Sequence, residues 1–63
     1  MTYYTAVTGS WKDGSVRLIA ESYSRKYIFN KAQNRANQSG RMVTVRIERG
    51  NRVEFTEVHP EQI

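Results

Sequence analysis

The chain has 63 residues, a formal net charge of +4 at pH 7 and no cysteine. A chain of this length is expected to form one domain, residues 1–63, that buries only about 60% of its unfolded surface. The lack of cysteine excludes disulfides and thiolate metal sites, so an apolar core or an oligomer must stabilise the fold. No segment approaches the roughly 20 apolar residues of a membrane span, and the N-terminus lacks the pattern of a signal peptide. We therefore expect a cytoplasmic protein without a membrane partner.

The first hairpin is predicted from two alternating segments, residues 3–11 and 16–21, joined at Asp13-Gly14. Both of these turn residues tolerate positive φ, which makes a two-residue turn favourable. Gly9, inside the first segment, indicates either a bulge or a close approach by a helix. The predicted core face of the hairpin carries Val7, Trp11, Val16, Leu18 and Ala20. The predicted outer face carries Tyr4, Thr8, Ser10, Arg17, Ile19 and Glu21.

A helix is predicted from about Arg25 to Gln38. Ser24 is a favourable N-cap residue, and Gly40 lies just past the end, where a left-handed residue is preferred. An alternative interpretation starts the helix at Ser15 and continues it through the second predicted strand, but the turn at residues 13–14 favours the strand. The apolar stripe of the helix consists of Ile28, Ala32 and Ala36, with Phe29 on its flank.

The clearest pattern of the sequence is a second hairpin, from Arg41 to Val58, in which apolar and polar residues alternate along two strands. A three-residue loop, Arg49–Asn51, would place Ile47 opposite Val53 and keep the apolar residues of both strands on one face. A two-residue loop, Gly50-Asn51, would send them to opposite faces. We therefore predict the three-residue loop, with Asn51 in the left-handed conformation. The alternating apolar residues are Val43, Val45, Ile47, Val53 and Phe55.

Two hairpins around one helix predict an α+β fold of the two-layer ββαββ type. Its four-stranded antiparallel sheet would have one helix packed on one face. If the helix makes a right-handed crossover and the third strand pairs beside the first, the strand order is 2-1-3-4. The other face of the sheet would stay open. The residues predicted on this open face are Tyr4, Arg17, Ile19, Glu21, Thr44, Arg46, Glu48, Arg52, Glu54 and Thr56.

An enzyme is disfavoured because catalytic mechanisms need several converging reactive groups. The chain has one histidine, His59, and one aspartate, Asp13, which the first turn already uses. Its glycines fit turns or bulges and form no phosphate-loop pattern. We expect no catalytic residues, no cofactor and no metal site.

The predicted helix is the better functional candidate, because residues 22–47 contain six cations and no Asp or Glu. Arg25 and Lys26 occupy its first turn, where the helix dipole disfavours cations by about 0.3–1 kcal/mol. An anion bound there, assisted by free amides and the hydroxyls of Ser22 or Ser24, would explain that cost. The alternative is a helix that is merely basic and solvated. The predicted binding residues are Arg25, Lys26, Tyr27, Lys31 and Arg35, interleaved with the amides of Asn30, Gln33, Asn34, Asn37 and Gln38.

Three features together resemble the small ββαββ proteins of phages and mobile elements, which include some anti-CRISPR inhibitors. They are the helix entry at Ala20–Ser24, the apolar stripe of the helix and the hairpin Arg41–Val58. The resemblance implies a compact non-enzymatic protein that blocks a nucleic-acid machine by occupying a groove, and it carries over no functional residue. We thus expect a binding module for nucleic acid or a nucleic-acid-handling protein. The alternative is a homodimeric interaction protein that uses its open sheet face or an edge strand.

Overall fold

The protein folds as one four-stranded antiparallel sheet with one helix. The computed structural model describes residues 1–9 and 14–61, so Ser10, Trp11 and Asp13 of the first predicted hairpin lie outside the described residues. The strand order is β2-β1-β3-β4, which confirms the predicted ββαββ fold and its 2-1-3-4 order. The elements are β1 (Thr2–Thr8), β2 (Arg17–Ser22), α1 (Arg25–Ser39), β3 (Val43–Arg49) and β4 (Arg52–Val58).

Helix α1 begins and ends where its capping residues predict. The Ser24 hydroxyl accepts a hydrogen bond from the Tyr27 amide at 3.3 Å. At the other end, Gly40 adopts φ 68° and its amide donates to the Ala36 carbonyl at 2.8 Å. The predicted stripe of Ile28, Ala32 and Ala36 is fully buried. Two of its three residues are alanines, whose small side chains permit a close approach of the helix to the sheet. The core consists of Tyr4, Ala6, Ile28, Ala32, Ala36, Val43, Val45, Ile47 and Val58.

The first hairpin differs from its predicted register. Ala6 pairs with Ala20 and Val7 with Leu18, so Ile19 is an extra residue that forms a bulge in β2. The bulge interrupts the two-residue period from which the faces were predicted. As a result Leu18, predicted in the core, is 60% exposed. The strand at Arg17–Ser22 also excludes the alternative helix from Ser15.

Tyr4 also lies on a different face of the sheet from the one predicted. It was predicted on the open face, but only 6% of its surface is exposed. Its ring lies 6.4 Å from that of Phe29, in an edge-to-face arrangement. Because β1 is a central strand, its inward residues carry much of the core, and an aromatic ring there adds a large buried area.

Gly9 marks a close approach, but to the loop that follows the first turn and not to the helix. Its φ is 90°. A Cβ on Gly9 would lie closer to the carbonyl oxygen of Ser15 than any real Cβ contact allows. The backbone can therefore cross here only at a residue without a side chain.

The loop of the second hairpin was predicted wrongly. Arg49 pairs with Arg52, so the loop has two residues, Gly50 and Asn51. Only Gly50 of the pair has a positive φ, at 60°, as in a type II′ turn, and Asn51 is not left-handed. This turn matches the twist of the strands, and the short helix α1 covers only the end of β4 at Val58. The apolar residues of β3 and β4 therefore need not share a face.

The corrected registers change the open sheet face. Val53 and Phe55 lie on it, opposite Glu48 and Arg46, and are 47% and 55% exposed. Thr44 and Glu21 also lie on it, as predicted. Residues predicted there that instead lie on the helix side of the sheet are Tyr4, Arg17, Arg52, Glu54 and Thr56, while Ile19 packs against the core.

Candidate nucleic-acid interface

The predicted binding residues all lie on α1 and are exposed. The buried stripe of the helix fixes this placement, because residues between its positions must point away from the sheet. Tyr27, which the stripe leaves outside, is 47% exposed. The structure nevertheless divides the five residues between two places on the helix.

Tyr27, Lys31 and Arg35 line a groove between α1 and β2, with Ile19 and Ala20 contributing from the strand. We call it the β2 groove. Its volume is about 320 Å³. The Lys31 ammonium lies 5.6 Å from the centroid of the Tyr27 ring, a cation–π distance that holds the charge over the groove. Asn34 and Gln38 also line it and add amide donors.

Arg25 and Lys26 lie at the start of α1, where no acidic residue occupies the first turn. The Arg25 guanidinium carbon lies 4.9 Å from the centroid of Phe29, so this cation is stacked on an aromatic ring. The Ser24 carbonyl accepts from the Ile28 amide at 3.1 Å. The hydroxyl of Ser22 accepts from the Ser24 amide at 3.0 Å. These bonds use the amides of Ser24, Tyr27 and Ile28, whereas the two hydroxyls accept in them and keep their own O–H donors for an anion beside the two cations.

The opposite side of α1 is covered by the C-terminal segment. Gln33 donates to the His59 carbonyl at 2.8 Å and to the Asn37 side-chain oxygen at 3.0 Å. The same Asn37 oxygen accepts from the Glu61 amide at 2.8 Å. Gln33 and Asn37, expected among the binding donors, therefore have a structural role.

The helix cations have no carboxylate partner within residues 1–9 and 14–61. The ion pairs there are Arg46–Glu48 at 3.0 Å and His59–Glu57 at 3.6 Å, the latter only when the histidine is protonated. Glu48 lies on the open sheet face and is paired, so it does not neutralise α1. The positive charge of the helix therefore faces solvent.

Two further arginines approach the predicted site. Arg17 and Arg41 line, together with Arg35, a second cavity of about 530 Å³. From the sequence alone, Arg41 is only one of six cations in residues 22–47, and Arg17 was predicted on the open sheet face. Alternation alone could not place them, since the bulge at Ile19 decides which side of the sheet Arg17 takes.

Metal-ligand groups and membrane-spanning helices were also sought in the part of the chain that the structure describes. Among these residues no group of three or more His, Asp or Glu could hold a metal ion. Nor is any described helix long and apolar enough to cross a membrane. Comparison of the chain with protein-family models, with curated proteins and with solved structures finds no match.

Proposed function

We propose that the protein is a non-enzymatic binding module that docks the exposed surface of α1 on the phosphate backbone of nucleic acid. The observation that carries this proposal is the lack of any carboxylate partner for the helix cations among the described residues. Four like charges on one short helix repel one another, and bound phosphates would remove that cost. The docking cations are Arg25, Lys26, Lys31 and Arg35, with Tyr27 beside them.

The remaining amides of the helix suit the same ligand. Asn30, Asn34 and Gln38 are exposed, and side-chain amides commonly donate to phosphate and sugar oxygens. Such contacts position a protein without reading sequence, so we expect weak sequence preference. An acidic groove of a nucleic-acid-handling protein would attract the same cations. That target, which a phage-type inhibitor such as an anti-CRISPR would have, is the alternative if nucleic acid does not bind.

Charge reversal tests the proposal. Lys31→Glu/Arg35→Glu is expected to weaken binding to a random-sequence 12-nucleotide DNA, single-stranded or duplex, by at least about tenfold. Arg25→Glu/Lys26→Glu is expected to have a similar effect. Both changes are on exposed positions, so the melting temperature should change little. Fluorescence anisotropy of labelled DNA at 50 mM salt measures the affinity.

The control is Arg49→Glu/Arg52→Glu at the tip of the β3–β4 hairpin, where both residues are exposed. Each replacement removes two units of charge, so this variant and the helix variants all change the net charge from +4 to 0. The control should weaken binding by no more than about threefold, through long-range attraction alone. Equal losses in all three variants would contradict docking by the helix.

A second candidate, a homodimer formed through the open sheet face, is favoured by the exposure of Val53 and Phe55. The chain exposes 4835 Å², whereas a compact monomer of 7.3 kDa is expected to expose about 4,200 Å². A two-layer fold with one uncovered sheet face exposes more area than a compact monomer of the same mass, and one partner buries roughly 800 Å² in a standard interface. A second copy of the chain is therefore the partner we consider for this face.

The polar groups of the open face also satisfy one another. Arg46 pairs with Glu48. Desolvation raises the pKa of the Tyr3 phenol, and a hydrogen bond to Glu21 adds to the rise. Tyr3 also contacts Tyr23, with ring centroids 4.8 Å apart. Burial of this face against a second copy would keep the Arg46–Glu48 ion pair and the hydrogen bond between Tyr3 and Glu21, which lowers its cost.

Phe55→Asp is expected to weaken dimerisation at least about tenfold, because it buries a charge in an apolar contact. Thr56→Asp is the matched control, since it places the same side chain on the same strand but on the other side of the sheet. Sedimentation velocity from 10 µM to 1 mM protein measures the association. A wild-type chain that stays monomeric at 1 mM would exclude this second candidate.

A further inference from the structure

The cavity that contains Arg17, Arg35 and Arg41 is built from four parts of the chain. Gly9 lies just after β1, Arg17 begins β2, Arg35 belongs to α1, and Arg41 follows the helix. We call it the arginine pocket. Its volume of about 530 Å³ is within the range of roughly 300–1,000 Å³ that is usual for small-ligand sites. Gly9 and Ser15, whose backbones lie close together, form one wall of the pocket.

The charge of the arginine pocket is one-sided. None of the described residues that line it is acidic, and none of its three arginines forms an ion pair in the described ranges. A helix C-terminus favours a nearby cation by about 0.3–1 kcal/mol, but only near its last turn. The effect acts through space, so it reaches Arg17 and Arg41, which line the pocket together with Ser39 of the last turn. The partial charge of a helix end is only about half a unit, so most of the charge of the three arginines is left for an anionic ligand.

Guanidinium groups favour a particular kind of anion. Their planar array of N–H donors forms paired hydrogen bonds with carboxylate or phosphate oxygens. A phosphate monoester carries a charge of about −1.5 to −2 at pH 7, whereas a phosphodiester inside a strand carries one. Three arginines around one cavity therefore suit the monoester better.

The arginine pocket adjoins the β2 groove, because Arg35 lines both. From Tyr27 in the groove to Ser39 in the pocket, the helix advances twelve residues, or about 18 Å. A strand whose backbone lies along the groove, beside Lys31, would bring its end to the pocket. Ile19 and Ala20, which form the apolar side of the groove, present no charge that would repel it.

We infer that the arginine pocket binds the terminal phosphate of a nucleic-acid strand that lies in the β2 groove. This inference rests on the proposed function and adds to it a preference for single-stranded, end-phosphorylated ligands. Lys31 contacts the strand, and Arg17, Arg35 and Arg41 together bind the phosphate at its end.

The test compares tetrathymidylates that carry a 5′-phosphate, a 3′-phosphate or no terminal phosphate, with inorganic phosphate as a separate probe. NMR titration of the ¹⁵N-labelled protein reports both affinity and location. One phosphorylated strand is expected to bind at least about tenfold more tightly than the unphosphorylated one, beyond the gain of a single added charge. Its binding should shift the signals of Gly9, Arg17 and Arg41.

Two double variants distinguish binding by the pocket from general electrostatic attraction to the protein. Arg17→Ala/Arg41→Ala is expected to bind the phosphorylated and unphosphorylated strands with equal affinity. Arg49→Ala/Arg52→Ala removes the same charge at the hairpin tip and should keep the preference. A loss of the preference in both variants would show that net charge alone produces it, and the inference would be wrong.

The outcomes for the pocket and for the proposed function are distinct. Equal, salt-dependent affinity for all three tetrathymidylates would overturn the inference while the proposed function stands. If no oligonucleotide binds but inorganic phosphate shifts the pocket signals, the proposed function and the inference about a strand end are both wrong. The pocket is then a site for free phosphate. If no probe binds, both proposals fail.

Discussion

Replacing Ile28 with alanine is expected to lower the free energy of unfolding by about 2–5 kcal/mol. Ile28 is fully buried and is among the largest such side chains of the core. Its removal takes apolar contacts from the middle of the helix–sheet interface and leaves a cavity. A 63-residue domain is expected to have a total stability of only about 3–9 kcal/mol. The variant should therefore be close to unfolding at 25 °C, as urea denaturation followed by circular dichroism would show.

Leu18→Ala is the matched control, because it removes the same number of carbon atoms from a side chain that is 60% exposed. Its expected cost is below about 1 kcal/mol. The comparison also tests the corrected register of the first hairpin, since the predicted register would place Leu18 in the core. A cost for Leu18→Ala as large as that for Ile28→Ala would contradict the bulge at Ile19.

Gly9→Ala is expected to lower the free energy of unfolding by about 2–4 kcal/mol, from backbone strain and overpacking together. Its φ of 90° is unfavourable for alanine, and the new methyl group would collide with the Ser15 backbone. The end of β1 would have to move away from the residues that precede β2. Because Gly9 lines the arginine pocket, this movement should also reduce any phosphate binding there.

Gly50→Ala separates the effect of backbone strain from that of overpacking. Gly50 also has a positive φ, but a Cβ there would meet no atom within 4 Å. The replacement should lower the free energy of unfolding only through backbone strain, by about 1 kcal/mol. Thermal and urea denaturation of the two variants measure the difference. Equal costs would show that the approach of Ser15 to Gly9 is not a tight contact in solution.

The helix was predictable because it depends on local signals. Ser24 and Gly40 satisfy the backbone groups at the two ends of α1, and the spacing of Ile28, Ala32 and Ala36 selects its buried side. The order 2-1-3-4 was predicted on the condition that a right-handed crossover places the third strand beside the first, and the structure has this order. None of these features depends on which side of the sheet a given strand residue takes.

The strand registers were not predictable from alternation alone. At Ile19 a bulge shifts the period, and at Gly50 the turn has two residues although this separates the apolar residues of its strands. The alternating pattern predicts the buried face of a strand correctly only where another part of the protein covers that face. The helix covers little of β4, so Phe55 lies on the open face without loss of core burial.

The same limit applies to the candidate site. The cations of α1 were predictable because helical periodicity places them outside the buried stripe. Arg17 was not, since its side of the sheet depends on the bulge, and its approach to Arg41 depends on how the chain crosses at Gly9. The arginine pocket is thus a product of tertiary structure, and the sequence contains no local signal for it.

The most direct test of nucleic-acid docking is the salt dependence of binding, measured by anisotropy from 50 to 300 mM salt. With four phosphate contacts, a plot of log K against log salt should fall with a slope of about −3 for single strands or −3.6 for a duplex. Lys31→Glu/Arg35→Glu should reduce the slope by about half. Binding that is absent at 50 mM salt, or a slope that is the same in the wild-type chain and this variant, would contradict phosphate contact by α1.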